Sequence, residues 1–406
     1  MGNARNNAVS KRKLLFMAGL GWLFDAMDVG LLSFVLVAVR EEWALEPSQV
    51  GWIASINSIG MAVGAFVFGV YADKRGRKAA FMATLLLFSL ASGLSAFAWG
   101  LGIFMILRFL IGIGLGGELP VASTLVSENV AAHERGRIVV LLESFWAGGW
   151  IVAAMIGFFL IQPFPGNGWR VAMLLCALPA LYVFYLRRNL PDSNSFNRLR
   201  PKDREESILR KWMALWSCDH RRSTAMLWIV WFCVVFSYYG MFLWLPSVVT
   251  AKFGMKQGFG YVLLMTLAQL PGYFTVAWLI ERIGRKAVLT VYLSGTMISA
   301  CWFGVADTPA QVLAAGAMLS FFNLGAWGAL YAYTPEQYTA KIRATGAGFA
   351  AAVGRIGGVF GPLMVGYLLA AGLHVAVVFG IFGAALLLAV LAIVILGKET
   401  KQLVID

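Results

Sequence analysis

A short basic motif occurs twice in this chain and determines its organisation. The segment 73–78 reads DKRGRK and the segment 281–286 reads ERIGRK, and each follows a long apolar stretch. The two copies lie 208 residues apart. The same offset relates Glu128 to Glu336 and Arg135 to Arg343. Two separate landmarks at one spacing indicate an internal duplication of about half the chain.

Apolar spans of about 20 residues, the length that crosses a hydrocarbon core, make up most of the sequence. Hydrophobic residues are 60% of the chain and charged residues 13%, whereas a soluble domain has about 25% charged residues. Only helices or closed barrels satisfy their backbone in lipid, and these spans are too long and uniform for strands. We therefore predict an all-α integral membrane protein. Its twelve transmembrane helices are expected near 14–39, 49–72, 79–98, 101–126, 137–161, 169–187, 224–249, 258–280, 287–306, 309–334, 344–370 and 374–396.

The positions of the basic residues predict the orientation of the chain in the bilayer. The formal net charge of +13 would suggest nucleic-acid binding in a soluble protein. Here 27 of the 33 Lys and Arg residues lie in loops on the N-terminal side of the spans. This is the positive-inside pattern, so we expect both termini in the cytoplasm and no nucleic-acid partner. The opposite side carries Arg40, Arg170, Lys252 and Lys256.

The duplication divides the chain into two six-helix bundles. We expect an N-terminal bundle at 1–187, a cytoplasmic linker at 188–223 and a C-terminal bundle at 224–406. The linker contains an amphipathic run that would lie partly on the membrane surface, and a solvated tether without its own activity is the simpler interpretation. Parallel halves of this kind are typical of transporters that bind substrate near the midplane between them.

These motifs resemble those of the major facilitator superfamily. The segment 69–78 is similar to the family signature between the second and third spans, and 281–286 is a degenerate copy. The resemblance covers essentially the whole chain and is strongest to the branch with sugar porters, organic-ion transporters and synaptic-vesicle glycoproteins. Further matches are Glu128 with 135–137 (RGR), 190–193 (LPDS), 335–336 (PE) with Arg343, and 399–401 (ETK).

Two departures from the family patterns narrow the branch. Sugar porters carry a Gln-rich stretch in the seventh span, where this chain reads FSYYG at 236–240. Drug antiporters carry a Gly/Pro motif in the fifth span, where AGGW at 147–150 lacks the proline. The segments 24–28 (FDAMD) and 354–358 (GRIGG) are similar to aromatic-acid/proton symporters. The whole chain most resembles bacterial niacin permeases, which implies import of a small aromatic monocarboxylate.

Two carboxylates and one arginine lie near the middle of predicted spans in the first half. Asp25 and Asp28 are three residues apart, so both project from nearly one face of a helix. Counting about 1.5 Å per residue places Asp28 about 20 Å deep and Arg108 at a comparable depth. We therefore expect an Asp28–Arg108 pair. A carboxylate whose arginine partner comes and goes can carry a proton.

We hypothesise that Asp28 is the proton-coupling site, with Asp25 as its helper or an alternative. The resemblance supports this assignment, because the acidic residue of the family's first span falls on Asp28. A permanent structural ion pair with Arg108 is the competing interpretation.

Arg355 is the second charge of interest, about 17 Å into the eleventh span. Its guanidinium offers a planar fork that matches a carboxylate. Gly354, Gly357 and Gly358 are expected to leave room for a ligand. We hypothesise that Arg355 binds the carboxylate of an anionic substrate, and an intraprotein partner such as Glu143 or Asp25 is the alternative.

Aromatic and amide side chains are expected to complete the substrate site. A flat ring can stack among aromatic groups, with a tyrosine hydroxyl as a polar partner. For any single aromatic, lipid contact or helix packing is the competing interpretation. The candidates are Tyr238, Tyr239, Trp244, Trp327, Tyr331, Phe145 and Trp146, with Asn57, Gln269 and Asn323 as hydrogen-bonding side chains.

The charged loop motifs imply a gate, because in the family they lock the two halves together on the cytoplasmic side. Glu118 and Glu143 are expected nearer the cytoplasmic end, where they could join such pairs. A purely topological role for the loop charges is the alternative. The gating candidates are Asp73, Arg77, Glu128, Arg135, Glu281, Arg285, Glu336 and Arg343.

A membrane enzyme is the main rival class, and the motifs argue against it. The chain has no phosphate-binding loop and no HExxH motif, and its three histidines and four unpaired cysteines suggest no metal site. We predict a cell-membrane transporter that imports a small aromatic monocarboxylate by proton symport and alternating access, as a monomer without cofactors. Nicotinate is the leading candidate for the substrate. Benzoate-type acids or another organic ion, facilitated diffusion, and a transporter-like receptor or sensor remain alternatives.

Overall fold

The computed structural model describes residues 11–128, 135–164, 166–189, 213–339 and 342–400, and all regular elements in these ranges are helices. A π-helical turn, Gly157–Ile161, extends the fifth helix. The α-helices are α1 (Lys11–Glu42), α2 (Pro47–Arg75), α3 (Arg77–Ser95), α4 (Leu101–Glu128), α5 (Arg135–Ile156), α6 (Gly168–Leu175), α7 (Pro179–Asn189), α8 (Arg221–Phe242), α9 (Leu245–Leu267), α10 (Gln269–Ile283), α11 (Arg285–Val305), α12 (Pro309–Glu336), α13 (Arg343–Ala370) and α14 (Val375–Leu396).

Twelve membrane crossings account for these helices. Within the described ranges, ten helical segments are long and apolar enough to span a bilayer, and Leu101–Gly117 is a shorter apolar helix. One segment, Arg221–Ile283, has 63 residues. At about 1.5 Å per residue it is roughly three times as long as a bilayer core is thick, which is too long for one crossing. It reverses once and therefore crosses twice. The reversal occurs at Gly254, whose φ of 77° interrupts α9. The predicted all-α, twelve-span architecture is confirmed.

The duplication is visible in the backbone at two places. Gly76 has φ 93° and Gly284 has φ 102°, and each separates two helices within its copy of the basic motif. A side chain at either glycine would be strained, because this region of φ excludes most L-residues. Both turns lie on the face of the bundle where α1 begins, which we call the terminal face; the opposite face, with the Gly254 turn, is the far face.

Helix packing repeats the same offset of 208 residues. A methyl group at Gly64 would lie 2.0 Å from the carbonyl oxygen of Ile113, and one at Gly272 would lie 2.3 Å from that of Phe321. Small residues thus bring α2 onto α4 in the first half and α10 onto α12 in the second. Close backbone approach at small residues is a common way for membrane helices to associate.

The two halves meet closely on the far face, between the start of α2 and the end of α13. The Ser55 hydroxyl donates a hydrogen bond to the Val359 carbonyl oxygen at 2.7 Å, and the Trp52 indole donates to the Tyr367 hydroxyl at 3.1 Å. Next to Trp52, a methyl group at Gly51 would lie 3.0 Å from the carbonyl oxygen of Pro362. The far face is therefore closed between these helices.

Most of the expected linker, residues 190–212, lies outside the described residues. The ends of the linker are described: α7 ends at Asn189 and α8 begins at Arg221. Leu215, just before α8, is fully buried, and its carbonyl accepts a hydrogen bond from the Thr224 hydroxyl at 2.8 Å. The linker therefore joins the second half through a packed turn.

Candidate functional site

A cavity of about 680 Å³ lies between the two halves of the chain. Its wall is formed by α1, α2, α4 and α5 from the first half and by α8, α10, α12 and α13 from the second. It reaches towards the terminal face, where Phe66 near the end of α2 and Thr345 near the start of α13 line it. Its volume is in the range of small-molecule sites. Because α2 and α13 are in contact on the far face, the cavity is accessible from the terminal face in this conformation.

Arg355 projects from α13 into this cavity. Its Nη1 donates to the Tyr239 hydroxyl at 3.3 Å and lies 3.5 Å from the Met61 sulfur. No carboxylate of the described residues forms an ion pair with it, so the proposed partners Glu143 and Asp25 do not neutralise it. A guanidinium has five N–H donors, and the remaining ones are available to a bound anion.

The glycines beside Arg355 have a different role from the one expected. A methyl group at Gly357 would lie 2.5 Å from the Phe232 carbonyl oxygen, and one at Gly354 would lie 2.9 Å from Val235. These glycines therefore allow α13 to pack closely on α8 rather than leaving space for a ligand. Close packing of the two helices positions Arg355 beside Tyr239.

Four further predicted aromatics line the cavity with Tyr239: Tyr238, Trp327, Tyr331 and Trp146. The Trp146 indole donates to the Tyr238 hydroxyl at 2.7 Å, which joins the two halves across the cavity. The rings of Tyr238 and Trp327 meet edge to face, with centroids 5.3 Å apart. Trp327 and Tyr331 are stacked at 5.8 Å. These faces offer a flat ring both stacking and edge contacts.

Five aromatics that line the cavity were not predicted: Trp22, Phe66, Trp231, Tyr273 and Phe349. Trp231 lies seven residues before Tyr238, so two helical turns place both side chains on one face of α8. That spacing was a usable signal for Trp231.

Two of the predicted aromatics pack between helices and do not line the cavity. The Trp244 indole donates to the Pro362 carbonyl oxygen at 3.2 Å, which ties the end of α8 to α13. Phe145 packs on α1, where a methyl group at Gly19 would lie 2.6 Å from its ring. Both correspond to the helix-packing alternative.

The three predicted amide side chains also lie outside the cavity wall. Asn57 is buried one turn from Met61, with its Nδ2 4.0 Å from the Met61 sulfur. Gln269 and Asn323 are fully buried in the second half, and their amide groups have no hydrogen-bond partner within the described residues.

Asp28 and Arg108 lie together inside the first half. Arg108 Nη1 is 3.4 Å from Asp28 Oδ2, and the Ser92 hydroxyl donates to the other carboxylate oxygen of Asp28. Arg108 Nη2 also contacts the Met173 sulfur at 3.0 Å. Both charged side chains are 0% exposed, and neither lines the cavity. Asp25 is likewise buried outside the cavity wall.

Three gating candidates of the second half, Glu281, Arg285 and Glu336, form one network on the terminal face. Arg285 contacts Glu281 at 3.0 Å and Glu336 at 3.3 Å. Glu399 accepts the backbone N–H of Arg285 at 2.9 Å, and Arg343 donates to the Pro335 carbonyl oxygen at 3.1 Å. The side chains of Asp73, Arg77, Glu118, Glu128 and Arg135 lie outside the described part of the structure.

Glu143 lines the cavity rather than the terminal-face network. Its side chain is 3% exposed and lies against Trp22. The sequence predicts it nearer the cytoplasmic end. The cavity extends in that direction, so a residue below the midplane still reaches it.

Comparison with known proteins identifies the family of this architecture. The Major Facilitator Superfamily pattern matches residues 18–270 and 260–404. The chain is 61% identical to a candidate niacin/nicotinamide transporter, NiaP, of Bacillus subtilis over 98% of each chain. It is 47% identical to the niacin transporter NiaP of Acinetobacter baylyi over 96% of this chain and 94% of that one.

A solved structure shares the fold. The xylose transporter XylE from E. coli, in a partially occluded inward-open conformation, superposes with a TM-score of 0.79 at 18% identity, covering 97% of this chain and 99% of that one. The twelve crossings, the 208-residue repeat and the cavity between the halves agree with these matches. This chain therefore belongs to the major facilitator superfamily and is a multi-pass transporter of the cell membrane.

Proposed function

We propose that this protein imports nicotinate, a small aromatic monocarboxylate, by proton symport with alternating access. The observation that carries the proposal is Arg355, a half-buried guanidinium without a carboxylate partner among the described residues, in an aromatic cavity between the halves. The names of two similar proteins refer to niacin. The cation suits the carboxylate, and the rings of Tyr238, Trp327 and Tyr331 suit the pyridine ring.

The expected topology belongs to the same proposal. Both termini would lie in the cytoplasm, with bundles at 1–187 and 224–406 and a linker at 188–223 that acts as a tether. The protein would act as a monomer in the lipid bilayer. With this orientation the terminal face is cytoplasmic, so the cavity is inward-facing. The Arg285–Glu281–Glu336 network would then form part of the cytoplasmic gate together with Arg343 and the first-half residues Asp73, Arg77, Glu128 and Arg135.

A substrate panel tests the proposal directly. Purified protein is expected to bind nicotinate and to bind nicotinamide at least tenfold more weakly, because nicotinamide keeps the ring but lacks the charge that pairs with Arg355. A sugar and an organic cation should not compete. Isothermal titration measures binding, and uptake into proteoliposomes distinguishes a transporter from a receptor. Equal affinity for nicotinamide would contradict the carboxylate contact.

Asp28 is proposed as the proton carrier, with Asp25 as its helper and Arg108 as the partner that modulates it. Asp28→Asn is expected to keep nicotinate exchange across proteoliposomes but to lose accumulation driven by a pH gradient, because the amide cannot release a proton. A structural ion pair predicts a different result, namely loss of folding, since Arg108 would remain buried without a counter-charge. Thermal unfolding of the purified variant separates the two. Wild-type accumulation by Asp28→Asn would refute the role.

A further inference from the structure

Glu143 is the acidic residue of the cavity wall among the described residues. It is 3% exposed and projects from α5 towards the second half. No described cationic side chain forms an ion pair with it. A buried carboxylate without a counter-charge is costly, and such a group is favoured in its neutral form. Glu143 is therefore a buried carboxyl group at the cavity wall without a described counter-charge.

The titratable groups around Glu143 come from every helix that faces it across the cavity. The phenols of Tyr238 and Tyr239 lie on α8, those of Tyr273 and Tyr331 lie on α10 and α12, and Arg355 lies on α13. On α1, which packs along α5, the acidic residues Asp25 and Asp28 are buried outside the cavity wall. Among the described residues, the cavity wall therefore carries one cation, Arg355, and one carboxyl group, Glu143, on the opposite half of the chain.

An anionic substrate determines which form of Glu143 can be present. A second negative charge in the same low-dielectric cavity would repel the carboxylate held by Arg355. A protonated carboxyl group removes this repulsion and offers one O–H donor. Nicotinate has a ring nitrogen that accepts a hydrogen bond, whereas benzoate has a C–H group at that position. A buried donor left without its acceptor discriminates strongly against the analogue.

We propose that Glu143, in its protonated form, donates a hydrogen bond to the pyridine nitrogen of the substrate whose carboxylate binds Arg355. Glu143 is then the specificity-determining residue that separates pyridine carboxylates from benzoate-type acids. This inference rests on the proposed function, because it takes nicotinate as the substrate and Arg355 as its anchor.

Two variants of Glu143 test the donor. Glu143→Gln keeps a hydrogen-bond donor of similar size, and Glu143→Leu removes it while keeping the volume. Wild-type protein and Glu143→Gln are expected to bind nicotinate at least tenfold more tightly than benzoate in isothermal titration. Glu143→Leu is expected to lose this preference, because leucine donates no hydrogen bond to nicotinate and leaves no buried donor unpaired when benzoate binds. Thermal unfolding of each purified variant confirms that it is folded.

The pH dependence of binding provides a readout that a structural role would not change. Nicotinate binding to the wild type should weaken as rising pH deprotonates Glu143, whereas binding to Glu143→Gln should not weaken in the same range. Benzoate, which has no ring nitrogen, serves as the control at each pH. Nicotinate binding by Glu143→Gln that is as tight as in the wild type and does not change with pH would support the protonated donor. Equal weakening of both proteins with rising pH would contradict it.

The outcomes separate this inference from the proposed function. If Glu143→Leu keeps the wild-type preference for nicotinate, or if wild type binds both acids equally, the ring-nitrogen contact is wrong while carboxylate binding stands. Loss of the preference in Glu143→Gln as well as in Glu143→Leu would also overturn it, because it would show a need for the ionised carboxylate. If wild type binds neither acid, the proposed function itself fails.

Discussion

Replacement of Arg355 by alanine is expected to weaken nicotinate binding by about 100-fold or more and to abolish uptake at micromolar substrate. Arg355 is the cation of the cavity among the described residues. A charge-assisted hydrogen bond contributes about 1.5–3 kcal/mol, and a guanidinium can make two to one carboxylate. Removal of both bonds leaves the substrate anion desolvated without a counter-charge. Isothermal titration with purified protein measures the loss.

Two companion variants make the Arg355 result specific. Arg355→Lys keeps the charge without the planar fork, so we expect an intermediate affinity. Arg170→Ala removes a far-face arginine that pairs with Glu42 at 2.8 Å outside the cavity, and its affinity should match wild type. An Arg355→Ala variant that binds nicotinate with wild-type affinity would exclude Arg355 as the carboxylate site.

Replacement of Gly51 by tryptophan is expected to stop transport while nicotinate binding persists. Even a methyl group at Gly51 would lie 3.0 Å from the Pro362 carbonyl oxygen and 3.3 Å from the Gly366 Cα, both backbone atoms that cannot rotate away. An indole requires α2 and α13 to separate on the far face. The variant should therefore be held in a conformation with its far face open, and one locked conformation cannot complete a transport cycle.

Counterflow in proteoliposomes, compared with binding in detergent, measures this separation of functions. Gly380→Trp is the matched control, because Gly380 is exposed on α14 and an added Cβ meets no atom within 4 Å. The control should transport normally. Full counterflow by Gly51→Trp would show that the contact between α2 and α13 is not required to close the far face.

Parts of this structure that depend on repetition or chain length could be predicted from the sequence. The equal offsets predicted that both copies of the basic motif join two spans, and the structure has a turn in each copy, at Gly76 and Gly284. Counting residues along two antiparallel helices led to the Asp28–Arg108 contact. Both inferences need only helical rise and register.

The direction in which a midspan aromatic points could not be predicted. In a membrane protein the lipid side of a helix is as apolar as the protein side, so periodicity carries little information about facing. Tyr238 and Trp244 lie on the same crossing, yet the first lines the cavity and the second packs on Pro362. That Glu143 lines the cavity could not be predicted either, because the shape of the cavity depends on how the helices of both halves pack.

The burial of Asp28 away from the cavity would separate the rate of proton exchange from the rate of substrate exchange. Asp28 and Arg108 are sealed within one half, away from the cavity that opens and closes between the halves. If Asp28 carries the proton, a rigid rocking of the halves alone does not expose it. Protons would have to arrive during internal fluctuations of the first bundle, in which α1 shifts against α3 and α4. Proton exchange and substrate exchange would then have independent temperature dependences, and the slower of the two would set the turnover.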